Sequence, residues 1–303
     1  MIRELLEKTE VLDTRIAVLL EEGKKEEAEK LLKEKKDLLS TAEKPEPGDR
    51  VFLARHPKRP HMEDFVSHLF SDFFEQKGDH LYDEDHSIYG GIARFHGKPV
   101  TLIGHRKGRN MEENLFCNFG MPCPEGYRKA MRIMAQAEKF HRPIISFIDT
   151  PGAYPGLEAE EHGQGEAIAK NLAFMSSLHV PVIAVVTGEG SSGGALAIGV
   201  SNRILMLENA IYSVLSPEGF ATILWKDSSR ADEAAKVMKL TAEDLKEAGV
   251  CDEIIPETAG GAQEDPEALY RNMDAALEKT LQFYSVMPGE EIRKDRLAKY
   301  RRI

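Results

Sequence analysis

Two short apolar runs, each ending abruptly in a glycine-rich loop, constrain this chain more than any other feature. Residues 143–148, Pro-Ile-Ile-Ser-Phe-Ile, end at Asp149, and residues 181–186, Pro-Val-Ile-Ala-Val-Val, end at Thr187-Gly188. Both are rich in β-branched residues, and neither alternates with charged ones. Such runs read as strands buried on both faces, the habit of a parallel sheet covered by helices. Between them Ile168, Leu172, Met175 and Leu178 recur at helical spacing. Strand, helix, strand at this distance makes a βαβ unit with a right-handed crossover. A third unit follows, with a helix expected from about Gly193 to Val200 and a strand over Arg203–Leu207. Another strand is expected over Ala210–Leu215. The fold class is therefore α/β.

The flanks are mainly helical. Leu5, Leu12, Ile16, Leu19 and Leu20, then Ala28, Leu31, Leu32, Leu38 and Leu39, predict two amphipathic helices separated at Gly23. Pro45-Glu46-Pro47-Gly48 is a breaker cluster. It divides an N-terminal helical extension, residues 1–45, from a main domain, residues 46–303. Phe65, Val66, Leu69, Phe70, Phe73 and Phe74 predict a helix over residues 62–76. Ser87–Phe95 and Pro99–Gly104 read as a hairpin about His96-Gly97. Residues 124–140, 230–248 and 266–285 return to helical spacing, and the basic C-terminal stretch closes a last helix.

Composition excludes several functions. Lys plus Arg number 40 and Asp plus Glu 51, a formal charge of −11. So acidic a chain is poorly suited to the phosphate backbone of nucleic acids. No segment approaches the roughly 18 apolar residues of a membrane helix. The first residues alternate charge with Leu, unlike a signal peptide, so a cytoplasmic location is expected. Cys117, Cys123 and Cys251 are odd in number and irregular in spacing. They read as reduced thiols, and no metal is expected in this chain.

In open α/β sheets ligands bind where loops leave the carboxyl ends of the strands. The first such loop, Asp149-Thr150-Pro151-Gly152-Ala153-Tyr154-Pro155-Gly156, is a tight path with two prolines and two glycines. The second runs Gly188-Glu189-Gly190-Ser191-Ser192-Gly193-Gly194 into a helix. Amides at such a helix start lack partners, and with the helix dipole they favour negative charge. Three templates fit this loop. Gly188, Gly190 and Gly193 satisfy the dinucleotide fingerprint, with Glu208 placed 20 residues beyond Gly188. Against that template, the fingerprint normally occupies the first βα unit of its fold. Gly190, Ser192 and Gly194 satisfy the nucleophile elbow of hydrolases. Gly193 and Gly194 also suit an oxyanion hole without any nucleophile. All ten His residues lie at or before His179, so a triad in the order Ser, acid, His is impossible. Convergent orders and a Ser–Lys pair stay open. Ser191 and Ser192 then read as helix-capping residues.

Two basic clusters stand out: Arg55, His56, Lys58 and Arg59, and His105, Arg106, Lys107 and Arg109. They suit either an anionic ligand or a solvated surface. Glu160, Glu161 and Glu166 favour a helix start without any chemistry.

Taken together, several stretches resemble one family. They are Leu53-Ala54-Arg55-His56-Pro57, Gly90-Gly91-Ile92-Ala93-Arg94, Asn118-Phe119-Gly120-Met121-Pro122 and Pro124-Glu125-Gly126-Tyr127-Arg128-Lys129-Ala130. Phe147–Gly156, Ser192–Gly199, Tyr212-Ser213-Val214, Ser216-Pro217-Glu218-Gly219 and Ile223-Leu224-Trp225-Lys226 complete the set. Over roughly residues 50–265 the chain resembles the α subunit of the carboxyltransferase of bacterial multi-subunit acetyl-CoA carboxylase. The resemblance implies a crotonase-like fold of ββα units wound into a superhelix. It implies transfer of a carboxyl group from biotin to acetyl-CoA, giving malonyl-CoA for fatty acid synthesis. Biotin would arrive on a biotin carboxyl carrier protein, charged by biotin carboxylase. A zinc-containing β subunit would complete an α2β2 assembly. Gly193 and Gly194 would present amides to the biotin ureido oxygen, and Gly152, Ala153, Tyr154 and Ser192 would line the substrate site. Two departures accompany the resemblance: Ser191 replaces an expected glycine, and residues 110–117 are less basic than the family's usual stretch. The alternative is an NAD(P)-dependent oxidoreductase using Gly188, Gly190 and Gly193.

Overall fold

The computed structural model describes residues 2–302. The chain opens with a helical hairpin, α1 (Ile2–Glu21) and α2 (Lys25–Ser40), followed by α3 (Pro47–Ala54) and α4 (Met62–Leu69). Strands β1 (Ser71–Glu75), β2 (Ile88–Phe95) and β3 (Lys98–His105) lead to α5 (Met111–Phe116) and α6 (Pro124–Lys139). The centre runs β4 (Ile144–Thr150), α7 (Leu157–Glu161), α8 (Gln164–Ser177), β5 (Val182–Ser191) and α9 (Ser192–Leu196). Then come β6 (Arg203–Leu207), β7 (Ile211–Ser213), α10 (Pro217–Trp225), α11 (Ala231–Met238) and α12 (Ala242–Glu247). The last elements are β8 (Glu253–Ile255), α13 (Pro266–Tyr284) and α14 (Gly289–Tyr300).

Among the described residues eight strands form one sheet, ordered β1-β2-β3-β4-β5-β6-β8, with β7 paired to the end of β5. β1, β2 and β3 are antiparallel neighbours; from β3 onward every pair is parallel. Every residue of β4 and β5 is buried, as their apolar runs require. The pleat sends successive side chains to opposite faces. Phe147 stacks on Phe65 of α4 at 5.7 Å, whereas its neighbour Ser146 donates to the Ile198 carbonyl at 2.6 Å. Helices α4, α6, α8 and α13 contribute to the same apolar core. Among the described residues no helix is long and apolar enough to cross a membrane.

Three expected helices are shorter than their spacing suggests. The one over residues 62–76 stops at Leu69, because Asp72 adopts φ +53° and a bulge converts Phe73 and Phe74 into strand β1. The helix over 230–248 is broken at Lys239, φ +55°, and Thr241 caps a new one by accepting from the Asp244 amide. The helix expected from Gly193 to Val200 is only the single turn α9, so its dipole adds little. Pro47, in the breaker cluster, begins α3 at the position where proline suits a helix start.

Candidate active site

Strands β4 and β5 deliver their loops side by side. Thr150, the last residue of β4, pairs with Gly190 near the end of β5. The first loop is pinned by its own polar groups. The Thr150 hydroxyl accepts from the Gly152 amide at 3.0 Å and donates to the Gly152 carbonyl at 2.8 Å. The Tyr154 amide donates to the Pro122 carbonyl at 3.0 Å, and Gln164 Nε2 donates to both the Tyr154 and Pro122 carbonyls at 2.9 Å. Gly152, at φ +149°, holds a backbone angle that side chains rarely tolerate.

In the second loop the glycines are not where the backbone is left-handed. Ser191 is extended, at φ −122°, and the reversal falls on Ser192, at φ +56°. Among the described residues, neither the Gly193 nor the Gly194 N–H donates to any backbone or side-chain acceptor. The two glycines serve different purposes. A Cβ on Gly194 would lie 2.5 Å from Gly152 C and from Ala153 N, so Gly194 lets the first loop's backbone rest against the second. A Cβ on Gly193 would meet only Ile168, at 3.6 Å, an ordinary contact. Space over Gly193 is open, and Ser192 beside it is exposed.

Gly152, Ala153, Ser192, Gly193 and Gly194 are thus brought together. Tyr154 turns elsewhere: its ring folds against Gly156 and lines a cavity of about 210 Å³ with Cys123, Glu125, Glu158 and His162. The expectation that Ser191 and Ser192 cap the helix is corrected. No side-chain cap is made, and the Ser191 hydroxyl is buried without a partner. Its extended backbone is why serine fits there at all.

Beneath both loops lie buried carboxylates that the sequence reading did not single out. Asp149 accepts from Lys107 Nζ at 2.6 Å and from the Glu189 amide at 3.0 Å. Burial would raise its carboxyl, but the Lys107 ammonium and these hydrogen bonds hold it below the ordinary value. His105, fully buried beside it, accepts from the Asp149 amide at Nδ1 at 3.3 Å. Burial pushes the His105 imidazole down to about 4 against the nearby Asp149 charge, so the ring is neutral at physiological pH. Glu189 receives a two-point contact from Arg55, at 2.6 and 2.9 Å, and Arg55 also reaches Glu218 at 2.7 Å.

This resolves the two basic clusters. Arg59 pairs with buried Glu257, Lys58 with Glu10, Arg106 with Glu63 and Arg109 with Asp64. With Arg55 and Lys107, all six cations are ion-paired within the chain. Three of them neutralise carboxylates that are themselves buried: Glu189, Glu257 and Asp149. Arg55, Arg59 and Lys107 are internal counter-charges for buried carboxylates at the strand ends, whereas Lys58 and Arg109 are exposed and make their pairs on the solvated surface. A signal existed in the sequence: Asp149 and Glu189 interrupt or end apolar runs, and buried carboxylates require partners.

Glu208, the acid the dinucleotide template needs, accepts from the Glu257 amide at 3.0 Å. Gly188 lies against the Asp149 carboxylate rather than facing an open phosphate site. The nicotinamide alternative therefore loses its ribose-binding acid. Far from the loops, His96 sits between Asp274, at 2.9 Å, and Glu278, at 3.5 Å, using a different ring nitrogen for each.

The chain is similar throughout to one group of proteins. A family model described as acetyl co-enzyme A carboxylase carboxyltransferase-like matches residues 2–303. Over 257 residues the chain is 56% identical to the acetyl-coenzyme A carboxylase carboxyl transferase subunit alpha of Halalkalibacterium halodurans, covering 85% of this chain and 79% of that one. The corresponding subunit of Bacillus subtilis is 57% identical over the same shares. Among solved structures, the transcarboxylase 12S hexamer core with methylmalonyl-coenzyme A superposes with TM-score 0.63 at 18% identity, over 77% of this chain and 43% of that one. This chain thus spans less than half of the transcarboxylase chain. A Pseudomonas malonate decarboxylase hetero-tetramer in complex with coenzyme A gives TM-score 0.57 at 18% identity, over 71% and 86%. At such identity the likeness concerns the fold, which is the crotonase-like α/β fold of carboxyltransferases.

Proposed function

The chain belongs to the acetyl-coenzyme A carboxylase carboxyltransferase α-subunit family, and from that membership we propose that it holds the biotin-facing half of a carboxyltransferase site. The observation that carries this reading is the pair of unpaired amides at Gly193 and Gly194, with open space over Gly193. That arrangement fits a flat, neutral ring with one carbonyl oxygen. When bound, biotin supplies the carboxyl group and is left with negative charge at its ureido oxygen.

The chain's own task is to meet that charge. Two fixed N–H groups at a strand end need no reorganisation when charge appears, and removing one such donor typically costs ~3 kcal/mol of barrier. Gly152 and Ala153 hold the adjoining wall, because their backbone rests directly on Gly194. Ser192 fixes the turn. Tyr154 is assigned to a neighbouring subsite, since its ring faces the 210 Å³ cavity. Neutral, buried His105 and ionised Asp149 are not poised to exchange protons with a substrate, so the chain offers electrostatic stabilisation rather than a general base.

Past the glycine pair Leu196 is exposed, as are Val214, just after β7, and Ile223 and Leu224 on α10. Such exposed apolar residues mark a surface for another chain. We assign it to a zinc-containing β subunit in an α2β2 assembly. That subunit would hold acetyl-CoA, with biotin delivered on a carrier protein charged by biotin carboxylase, all in the cytoplasm. The α1–α2 hairpin, residues 1–45, is proposed as an extension to the main domain, residues 46–303. Its Ile2, Leu6 and Leu39 pack on Leu53 of α3.

The test is reconstitution. The chain alone should give no malonyl-CoA from acetyl-CoA and a carboxybiotin donor; the chain mixed with its β subunit should. Full turnover by the isolated chain, or none from the mixture, overturns the reading.

A further inference from the structure

We propose that Arg55 is a positioning residue for the amide turn, a role that rests on the carboxyltransferase reading above. The ladder around β5 is regular only as far as Val186, which faces Ile148 on one side and Met206 on the other. Beyond it the β4 register shifts before Thr150 meets Gly190, and β6 pairs no further. On the side that β6 leaves, the three-residue strand β7 accompanies Glu189, Gly190 and Ser191, and β4 adds the single pairing at Gly190. Ser192 then adopts φ +56°. A left-handed serine persists only where its surroundings over-determine it. The backbone ladder is thinnest where this demand is greatest.

Arg55 supplies what the ladder lacks. It caps the end of α3, and its Nε and Nη2 reach the two oxygens of Glu189 at 2.9 and 2.6 Å. Nη1 reaches Glu218, in the first turn of α10, at 2.7 Å, and Nη2 also approaches Glu218 at 3.3 Å. One planar cation therefore joins three elements three residues before the reversal at Ser192. The Glu189 side chain is only 3% exposed, so losing its partner would leave an uncompensated buried charge. The Glu189 amide is fixed as well, by Asp149. Each guanidinium nitrogen of Arg55 is engaged with a carboxylate, so it acts through Glu189 rather than by touching substrate. A lysine would keep the charge but lose the two-point contact and the bridge to α10.

The experiment uses the chain assembled with its β subunit and reads kcat, KM for acetyl-CoA, thermal midpoint and assembled fraction. R55K should assemble and melt like the parent, yet lose roughly tenfold in kcat with KM changed by less than about twofold, as expected for a displaced transition-state contact. R55M should lose roughly a hundredfold. E218Q, which leaves the Glu189 contact intact, should lose less than about threefold. Parental kcat in R55K overturns the proposal. So does a kcat loss matched by the same loss of assembled protein, which would mean a merely structural role. If R55M does not assemble, R55K still decides. G193A, run in parallel, separates the two readings. If G193A lowers kcat and R55K does not, the Arg55 role alone fails. If neither lowers the kcat of an active parent complex, the amide-turn reading fails with it.

Discussion

Strand β5 is closed at its first residues and open at its last. Ahead of Val182, the buried guanidinium of Arg296 on α14 donates to the carbonyls of Met175 and Leu178 at 2.8 and 2.7 Å. It also donates to the Val180 carbonyl at 2.7 Å and to Asn202 Oδ1 at 2.6 Å. Asn202 in turn accepts from the Val182 amide and donates to the Ile292 carbonyl. Carbonyls left over where α8 ends thus find a donor inside the protein. At the other end, past Ser191, the Gly193 and Gly194 amides find none among the described residues. Both ends bury charge. The difference is that one end uses it to complete the protein's own hydrogen bonds, and the other uses it to steady a backbone whose donors remain available. At the closed end the strand's neighbouring carbonyls are satisfied from within, while the unpaired donors at the open end are the ones the proposed function gives to a ligand.

The closed end should be the costlier to disturb. Arg296→Met would leave the buried Met175, Leu178 and Val180 carbonyls without this donor, while Asn202 Oδ1 would keep only the Val182 amide. Leaving one buried acceptor unpaired costs about 1–3 kcal/mol, and breaking a buried charge cluster about 3–5 kcal/mol. We expect a loss of roughly 4 kcal/mol in urea unfolding, with kcat per folded complex unchanged. A small stability loss, or a selective loss of turnover, would erase the distinction between the two ends.

The open end should carry the acid sensitivity. His105 has its imidazole lowered to about 4, first by burial. Its pKa in the unfolded chain is near 6.5. A lowered folded value means that the unfolded chain binds more protons between these two values, so stability is complete above pH 6.5 and falls as pH drops toward 4. The loss by pH 4 is on the order of 3 kcal/mol. Asp149, held below its ordinary value, adds a second loss at still lower pH. Burial lowers Arg296 only to about 10, so this guanidinium stays charged throughout the window. Denaturant midpoints at pH 7 and pH 4.5 should therefore converge in His105→Gln and stay apart in the parent. A parent whose midpoint does not move between these values would contradict the neutral, buried imidazole.

This division was half legible in the sequence. The runs at 143–148 and 181–186 could be read as doubly buried strands because burial on both faces leaves no polar alternation to hide them. Their loops followed from glycine and proline. What could not be read was anything set by partners distant in the chain. Arg55 and Glu189 are 134 residues apart, and only the fold shows that a basic cluster serves a buried carboxylate. Asp72 and Lys239 broke expected helices through left-handed backbone, which apolar spacing does not encode. The site residues came from resemblance and glycine pattern together. The pattern treated Gly193 and Gly194 as a pair, and the structure separates them.

That separation gives the smallest and most discriminating test of the open end. Alanine at 194 would place Cβ 2.5 Å from the backbone of Gly152 and Ala153. The first loop would have to move, so stability and activity should fall together, as overpacking usually costs ~1–3 kcal/mol. Alanine at 193 meets only Ile168, at 3.6 Å, and the φ of Gly193 is not in the left-handed region. The chain should fold as before, or slightly better, because alanine orders a helix start more cheaply than glycine. Its amide is retained, yet the new methyl occupies the open space from which an anion must approach. We therefore expect Gly193→Ala to keep its melting point and lose about tenfold in kcat, or ~1.4 kcal/mol of transition-state stabilisation. Loss of activity without loss of stability would show that the vacancy over Gly193 belongs to the ligand. Unchanged kcat would mean that the unpaired amides face away from the chemistry, and the open end of β5 would be open for no catalytic reason.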